Sequence, residues 1–227
     1  MSLISQIKLI KDKISGQILF DEHLAKYSWF NLGGPAKAIF KPKNLNELSV
    51  FLKNVKEYKI KALGAGSNTL IRDGGFDGII IKLGKSFAHL SMFDKNTLIA
   101  GAPTLDKNVS NFALENSLSG FEFLSCIPGS VGGGVRMNSG CFETEFKDIL
   151  LSVQALDRSG KVLTIPSSSI KFDYRKNDLP RDLIFLSASF QGKFKRKDIV
   201  NKEMEIFKKK KDEAQPTQVK TGGSTFK

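Results

Sequence analysis

Polar and apolar positions alternate with two periods along this chain, and the elements follow from them. In "MSLISQIKLIKDKI" Leu3, Ile7 and Ile10 fall on one side, as in a short amphipathic helix. "NLNELSVFLKNVKEY" (44–58) sets Leu45, Leu48, Phe51, Leu52 and Val55 at helical spacing, and Asn44 followed by Glu47 has the form of a capping box. "TLDKNVSNFALENSLSG" (104–120) predicts a second such helix, with Leu105, Val109, Phe112 and Ala113 inward and Gly120 as its C-terminal cap. Unbroken apolar runs bounded by Gly, Asp and Asn predict buried strands at "IKAL" (60–63), "GIIIKL" (78–83), "TLIAGA" (97–102) and "DLIFLSASF" (182–190). "ILLSVQALDRSGKVLTI" (149–165) predicts a hairpin turning at "DRSG". A charged helix then runs to about Glu213, and "AQPTQVKTGG" leaves it as an extended segment. Helices lie between groups of strands, without strict β–α–β alternation, so the expected class is α+β.

The totals narrow the class. Across 227 residues, 41% apolar content with 18 Phe supplies a core and excludes wholesale disorder. No apolar run is long enough to span a bilayer, and the N-terminus lacks the features of a secretory signal. Cys126 and Cys141 fit neither a zinc spacing nor a disulfide framework. The expected compartment is the cytoplasm. A formal charge of +12 comes from scattered lysines, and the densest stretch, "KFKRKDIVNKEMEIFKKKKDE" (193–213), interleaves acids with bases. That is the pattern of a solvated helix face more than of a phosphate track.

Candidate chemistry sits in a few stretches. "GAGSN" (64–68) offers bare backbone to a diphosphate, although taken alone it reads better as a tight turn after a strand. It is not a dinucleotide fingerprint, since the third glycine is absent. "LGKS" (83–86) is no P-loop, because the strand "IIIKL" fills the place of the loop. "CIPGSVGGGVRMNSG" (126–140) is the densest signal: Gly132, Gly133 and Gly134 remove three successive side chains. Ile127, Val131, Val135 and Met137 alternate through it as ordered backbone would, and Ser130 and Asn138 add hydrogen-bonding groups. Arg175, beside Tyr174, can clamp a carboxylate or a developing negative charge, although an Arg near a strand end is most often a surface ion pair. Ser224, in the closing "KTGGSTFK", is a small nucleophile or proton donor on a loop, or plain turn chemistry. His23 and His89 have no partner at ligand spacing, and no metal site is expected.

Taken in order, "YSWFNLGGPA" (27–36), "LGAGSNTLIRDGGFDGIII" (63–81), "GFEFLSCIPGSVGGGVRMNSGC" (120–141), "YR" (174–175) and "QPTQVKTGGSTFK" (215–227) resemble the UDP-N-acetylenolpyruvoylglucosamine reductase family, in its shorter subtype. The resemblance runs from about Leu24 to the end. It implies a two-lobed FAD-binding domain of the vanillyl-alcohol-oxidase (PCMH) type, followed by the start of a substrate-binding domain. The expected divisions are an N-terminal helix over 1–20, the FAD domain over 21–192, and the incomplete substrate domain over 193–227. It implies FAD held non-covalently by Gly64, Ala65, Gly66, Ser67, Asn68, Ile127, Gly129, Ser130, Gly132 and Gly133. NADPH would reduce the flavin and leave, and UDP-N-acetylglucosamine enolpyruvate would then take its place and receive the hydride, a step of peptidoglycan precursor synthesis.

By the same resemblance Arg175 stabilises the enolate, Ser224 delivers the proton, and Tyr174 and Lys227 contact substrate. The basic run ending at Lys211 would meet the diphosphate. The family continues for tens of residues beyond this loop and supplies a catalytic glutamate there. The 227-residue chain is therefore expected to be a fragment without turnover. Asn31, Glu143 and Asn177 depart from the family's usual basic residue, Gly and Ser. A monomer without nucleic-acid or membrane partners is expected. Two rival readings remain at this point: another flavoprotein of the same fold, often with tethered FAD, and a basic module that binds a polyanion.

Overall fold

A computed structural model describes residues 2–214. Helix α1 (Leu3–Lys8) starts where the Ser2 hydroxyl accepts the Ser5 N–H, and it turns Leu3 and Ile7 inward. Strands β1 (Gln17–His23) and β2 (Pro35–Lys41) follow, then helix α2 (Leu45–Asn54), β3 (Ile60–Ala62) and β4 (Phe76–Ile81). These four strands form one sheet in the order β1-β2-β4-β3, antiparallel at β1/β2 and parallel across β2, β4 and β3. A parallel pair needs a crossover, and α2 supplies it. It buries Leu48, Phe51 and Leu52 on the sheet, and Phe51 stacks on Phe40 at 4.1 Å between centroids. Leu24, Ala36, Ile39 and Ile80 cover the opposite face. Burial on both faces is why these strands read as unbroken apolar runs.

The second lobe holds β5 (Leu90–Met92), β6 (Thr97–Gly101), helix α3 (Asp106–Glu115), β7 (Leu118–Ser119) and helix α4 (Val131–Met137). A small hairpin of β8 (Gly140–Cys141) and β9 (Thr144–Glu145) leads into α5 (Phe146–Ile149), β10 (Leu150–Leu156) and β11 (Val162–Pro166). A second hairpin of β12 (Phe172–Asp173) and β13 (Lys176–Asn177) precedes β14 (Ile184–Gln191), β15 (Lys193–Phe194) and α6 (Lys197–Ala214). The main sheet here is wholly antiparallel, in the order β11-β10-β14-β6-β5. Its core joins Val109 and Ala113 of α3, Val131 and Val135 of α4, and edge-on rings of Phe121, Phe123, Phe146 and Phe190. The lobes share apolar contacts: Leu156, Ile184 and Leu186 pack into the cluster built by α1, α2 and the first sheet. Short β15 pairs with β7, and α6 lies against α3.

The mixed α+β class and the hairpin at "DRSG" stand as expected; there Asp157 Oδ1 accepts the Ser159 and Lys161 N–H groups. Four local expectations do not. The N-terminal helix expected over 1–20 ends at Lys8, and Gln17 already opens β1. Leu45 and Leu105 are 39% and 49% exposed, because both sit at helix starts and outside the buried stripe. Helix α3 ends at Glu115, four residues before Ser119 closes β7, so Gly120 caps nothing. Instead Asn116 Nδ2 folds back to the Phe112 carbonyl, and Ser117 takes the left-handed turn at φ 58°. The glycine run at 132–134 is helical, which glycine disfavours by itself. Burial of Val131 and Val135, one turn apart on α4, offsets that cost.

Candidate functional site

The first glycine loop leaves the C-terminal end of β3, a parallel strand, where open α/β sheets place ligands. Gly66 has φ +74°, and a Cβ there would lie 2.1 Å from the Tyr27 carbonyl oxygen. The Gly66 carbonyl in turn accepts the Trp29 N–H at 3.0 Å, which ties the loop to "YSWF". Ala65 and Ser67 are half-buried beside it, and Asn68 is exposed. Lys82, just past β4, donates its ammonium to the Gly64 carbonyl. Burial, and then the neighbouring Lys41, push the Lys82 pKa down. Sequence reading passed over Lys82; its only signal was a lysine ending an apolar parallel strand.

The second glycine loop meets the first. A Cβ on Gly64 would lie 2.6 Å from Ser130 Oγ, so the two backbones touch through a single hydroxyl. Ser130 is buried at the N-terminus of α4, yet its Oγ has no hydrogen-bond partner and does not cap the helix. Gly133 faces open space, with Ser130 Oγ at 3.8 Å from a Cβ position, whereas Gly132 faces Ala102. Gly134, by contrast, is bare for packing: a Cβ would strike the Phe146 ring at 2.1 Å. Beneath Gly129 lies Asp106, fully buried and without partners on either carboxyl oxygen. Burial pushes its pKa well above the carboxylate range. Ile127 is half-buried at the head of this loop.

Helix α4 connects this junction to Arg175. Seven residues at about 1.5 Å rise put its two ends roughly 10 Å apart. At the far end Asn138 turns left-handed, at φ 42°. Its side chain donates to Glu145 Oε2 at 2.9 Å and accepts the Lys147 N–H at 3.0 Å. Its carbonyl and that of Gly140 accept the Arg175 guanidinium at 3.4 and 3.3 Å. Tyr174 and Arg175 form the turn between β12 and β13, with the guanidinium 4.9 Å from the Tyr174 ring centroid. Asn177 Nδ2 donates to the Val135 and Arg136 carbonyls and so fastens the hairpin to α4. Burial favours neutral Glu145, but hydrogen bonds from Lys147 and Asn138 outweigh it and hold its pKa down. Lys211 donates to the Cys126 carbonyl at 2.7 Å. Ser224 and Lys227 lie outside the described residues.

Comparison with known proteins identifies this arrangement. A family described as an FAD binding domain matches residues 36–166. A curated relative from Pelagibacter ubique (strain HTCC1062), UDP-N-acetylenolpyruvoylglucosamine reductase, is 55% identical over 99% of this chain and 74% of its own length. The chain belongs to the UDP-N-acetylenolpyruvoylglucosamine reductase family. A reductase of the same name from Rickettsia conorii (strain ATCC VR-613 / Malish 7) is 42% identical over 96% of this chain and 74% of its own. The reductase structure from Thermus caldophilus superposes with a TM-score of 0.79 at 28% identity, covering 94% of this chain and 75% of that one. Cholesterol oxidase from Brevibacterium sterolicum shares the fold alone, at a TM-score of 0.56 and 14% identity. The residues here fit the flavin dinucleotide of the reductase family: an orphaned buried hydroxyl on Ser130, a cradle at Gly64 that a methyl group would fill, and the Lys82 cation beside it.

Proposed function

We propose that this chain serves the reductase chemistry of its family, NADPH-dependent reduction of UDP-N-acetylglucosamine enolpyruvate to UDP-N-acetylmuramate through FAD in peptidoglycan precursor synthesis, and that the residues described here hold the flavin. The observation that carries the reading is the buried, unpartnered Ser130 hydroxyl against bare Gly64, in a chain 55% identical to a curated reductase. Gly64, Ala65, Gly66, Ser67 and Asn68 form one wall of the cofactor cleft, and Ile127, Gly129, Ser130, Gly132 and Gly133 the other. Bound there without a covalent link, FAD supplies the ring system that accepts and returns a hydride. Lys82 offsets diphosphate charge next to the first wall, where its ammonium rests on the Gly64 carbonyl.

Arg175 supplies the electrostatic part. Two backbone carbonyls orient its guanidinium, which leaves N–H donors for a carboxylate whose negative charge grows during reduction. Because those carbonyls are fixed before substrate arrives, little reorganisation accompanies the charge. Tyr174 packs beside the guanidinium and borders the substrate. Ser224 delivers the proton and Lys227 contacts substrate, by the resemblance that named them. We take residues 21–192 as the FAD unit and 193–227 as the opening of the substrate unit. A monomer in the cytoplasm, without nucleic-acid or membrane partners, completes the proposal; among the described residues no helix is long and apolar enough to cross a membrane.

The test is the visible absorbance spectrum of the purified 227-residue chain, taken with FAD and then with NADPH under nitrogen. Flavin bands that bleach on NADPH are expected. After acid precipitation the flavin stays in solution. A folded, colourless protein that takes up no added FAD overturns the proposal.

A further inference from the structure

Cys126 and Cys141 lie 15 positions apart in the sequence, and the fold brings them together. Cys126 ends a 3₁₀ turn over Glu122–Cys126, immediately before the second glycine loop. Cys141 closes β8, which packs on that turn, so the two thiols come close enough to influence each other's ionisation. Ser125 Oγ stands 3.7 Å from Cys126 Sγ, and the Lys211 ammonium donates to the Cys126 carbonyl. From α6, Phe207 packs on Phe142 at 5.2 Å and Lys210 lies 5.8 Å from the centroid of the same ring, so helix and hairpin are held in contact. Cys126 is 5% exposed and Cys141 half-buried.

Such a pair divides the roles of attacking and resolving thiol. The Cys141 thiol stabilises negative charge on Cys126 by donating to it; burial opposes this, and Ser125 and the Lys211 charge add to it against Asp212. Together they bring the Cys126 thiol down to about 6. Cys141 moves the opposite way, first through its bond to Cys126 and then through burial, while Lys211 and Arg175 pull it back. Cys126 is therefore the thiol that ionises more readily, and Cys141 the one that keeps its proton longer. A largely buried thiolate is open to an oxidant the size of a peroxide and closed to a bulky disulfide.

We propose that Cys126 and Cys141 are a peroxide-oxidised dithiol, whose disulfide ties the turn before the glycine loop to the hairpin that carries the Gly140 carbonyl under Arg175. The Cys126 thiolate attacks one peroxide oxygen, the O–O bond breaks, and the departing hydroxide takes a proton to become water. The resulting sulfenic acid is attacked at sulfur by Cys141, the S–O bond breaks, and the Cys141 proton leaves with the hydroxide as a second water. Two thiols lose two electrons and one peroxide gains them, so no further reactant is needed. This chemistry at sulfur stands apart from the role given to Arg175 in the reduction.

The test treats the FAD-equilibrated full chain with hydrogen peroxide, quenches with catalase, alkylates and maps peptides without reductant. A Cys126–Cys141 linked peptide, a loss of two hydrogen masses, a fall from two titratable thiols to none, and recovery with dithiothreitol are expected. In Cys141→Ser the reaction stops at a sulfenic acid on Cys126, trapped by dimedone; in Cys126→Ser no adduct forms. Circular dichroism and flavin absorbance of each variant report folding and cofactor binding separately from thiol chemistry. Overturning results are two freely alkylated cysteines after peroxide, disulfides only between chains, or dimedone trapping at Cys141 in place of Cys126.

Discussion

Asn138, Phe142, Glu143 and Arg175 all carry positive φ within the segment that shapes the Arg175 end of the site. Side chains rarely adopt that region, and such strain gathers where geometry serves a site. Phe142 and Glu143 do so consecutively, at φ 52° and 66°, in the two-residue turn between β8 and β9. That turn type selects glycine. Glu143→Gly should therefore raise stability by about 0.5–1 kcal/mol, read as a higher midpoint in urea. Arg175 is different, because its strain holds a side chain whose donors are needed. Ser130 tests the other end of the site. Its hydroxyl has no partner in the protein, so Ser130→Ala should leave the flavin-free protein as stable or slightly more so. The same change should weaken FAD binding about 5–10-fold in a fluorescence titration, the value of one lost hydrogen bond.

Elements were legible where local chemistry and packing agree. Asn44 accepts the Glu47 N–H as its spacing predicts, which fixes the start of α2. Glu47 does not return the bond as a capping box would. Its carboxylate accepts the N–H groups of Lys43, Ser15 and Gly16 and the Ser15 hydroxyl, pinning the segment that leads into β1 to the start of α2. Nothing in the sequence announces partners more than thirty positions away. Burial opposes ionisation of Glu47, yet those bonds outweigh it and leave its pKa lowered. A depressed folded pKa contributes stability that is present above the unfolded value and lost as pH falls through the folded one. Acid titration of the wild type should show that loss. Glu47→Ala should lack this component and cost on the order of 2–4 kcal/mol at neutral pH, by denaturant melts. Helix α4 was illegible for a related reason: its glycines deny a helix locally, and the close approach of Ala102 to Gly132 and of the Phe146 ring to Gly134 appears only in the packing. The Cys126–Cys141 contact was hidden in the same way, since it depends on how a turn packs on a hairpin.

For the whole molecule, the two-lobed plan was implied by the family resemblance that the motifs carry, while the places of Lys82 and Asp106 emerged only from packing. The lobes meet at Gly64 and Ser130 and again through Leu156, Ile184 and Leu186. A ligand lying across the first junction binds only the folded chain and must raise its melting temperature. At free FAD about a hundredfold above Kd the gain is about 2.7 kcal/mol. At this chain length that is about 5–11 °C, measured by scanning fluorimetry. The second junction has a different consequence. Strand β14 is an interior member of one sheet, paired with β10 and β6, while its first residues sit in the apolar cluster of the other lobe. Pulling either lobe away exposes the other, so a protease meets an intact body or an open chain and little between. Although the site is made of two walls, neither wall is a module that could be cloned, swapped or inherited alone.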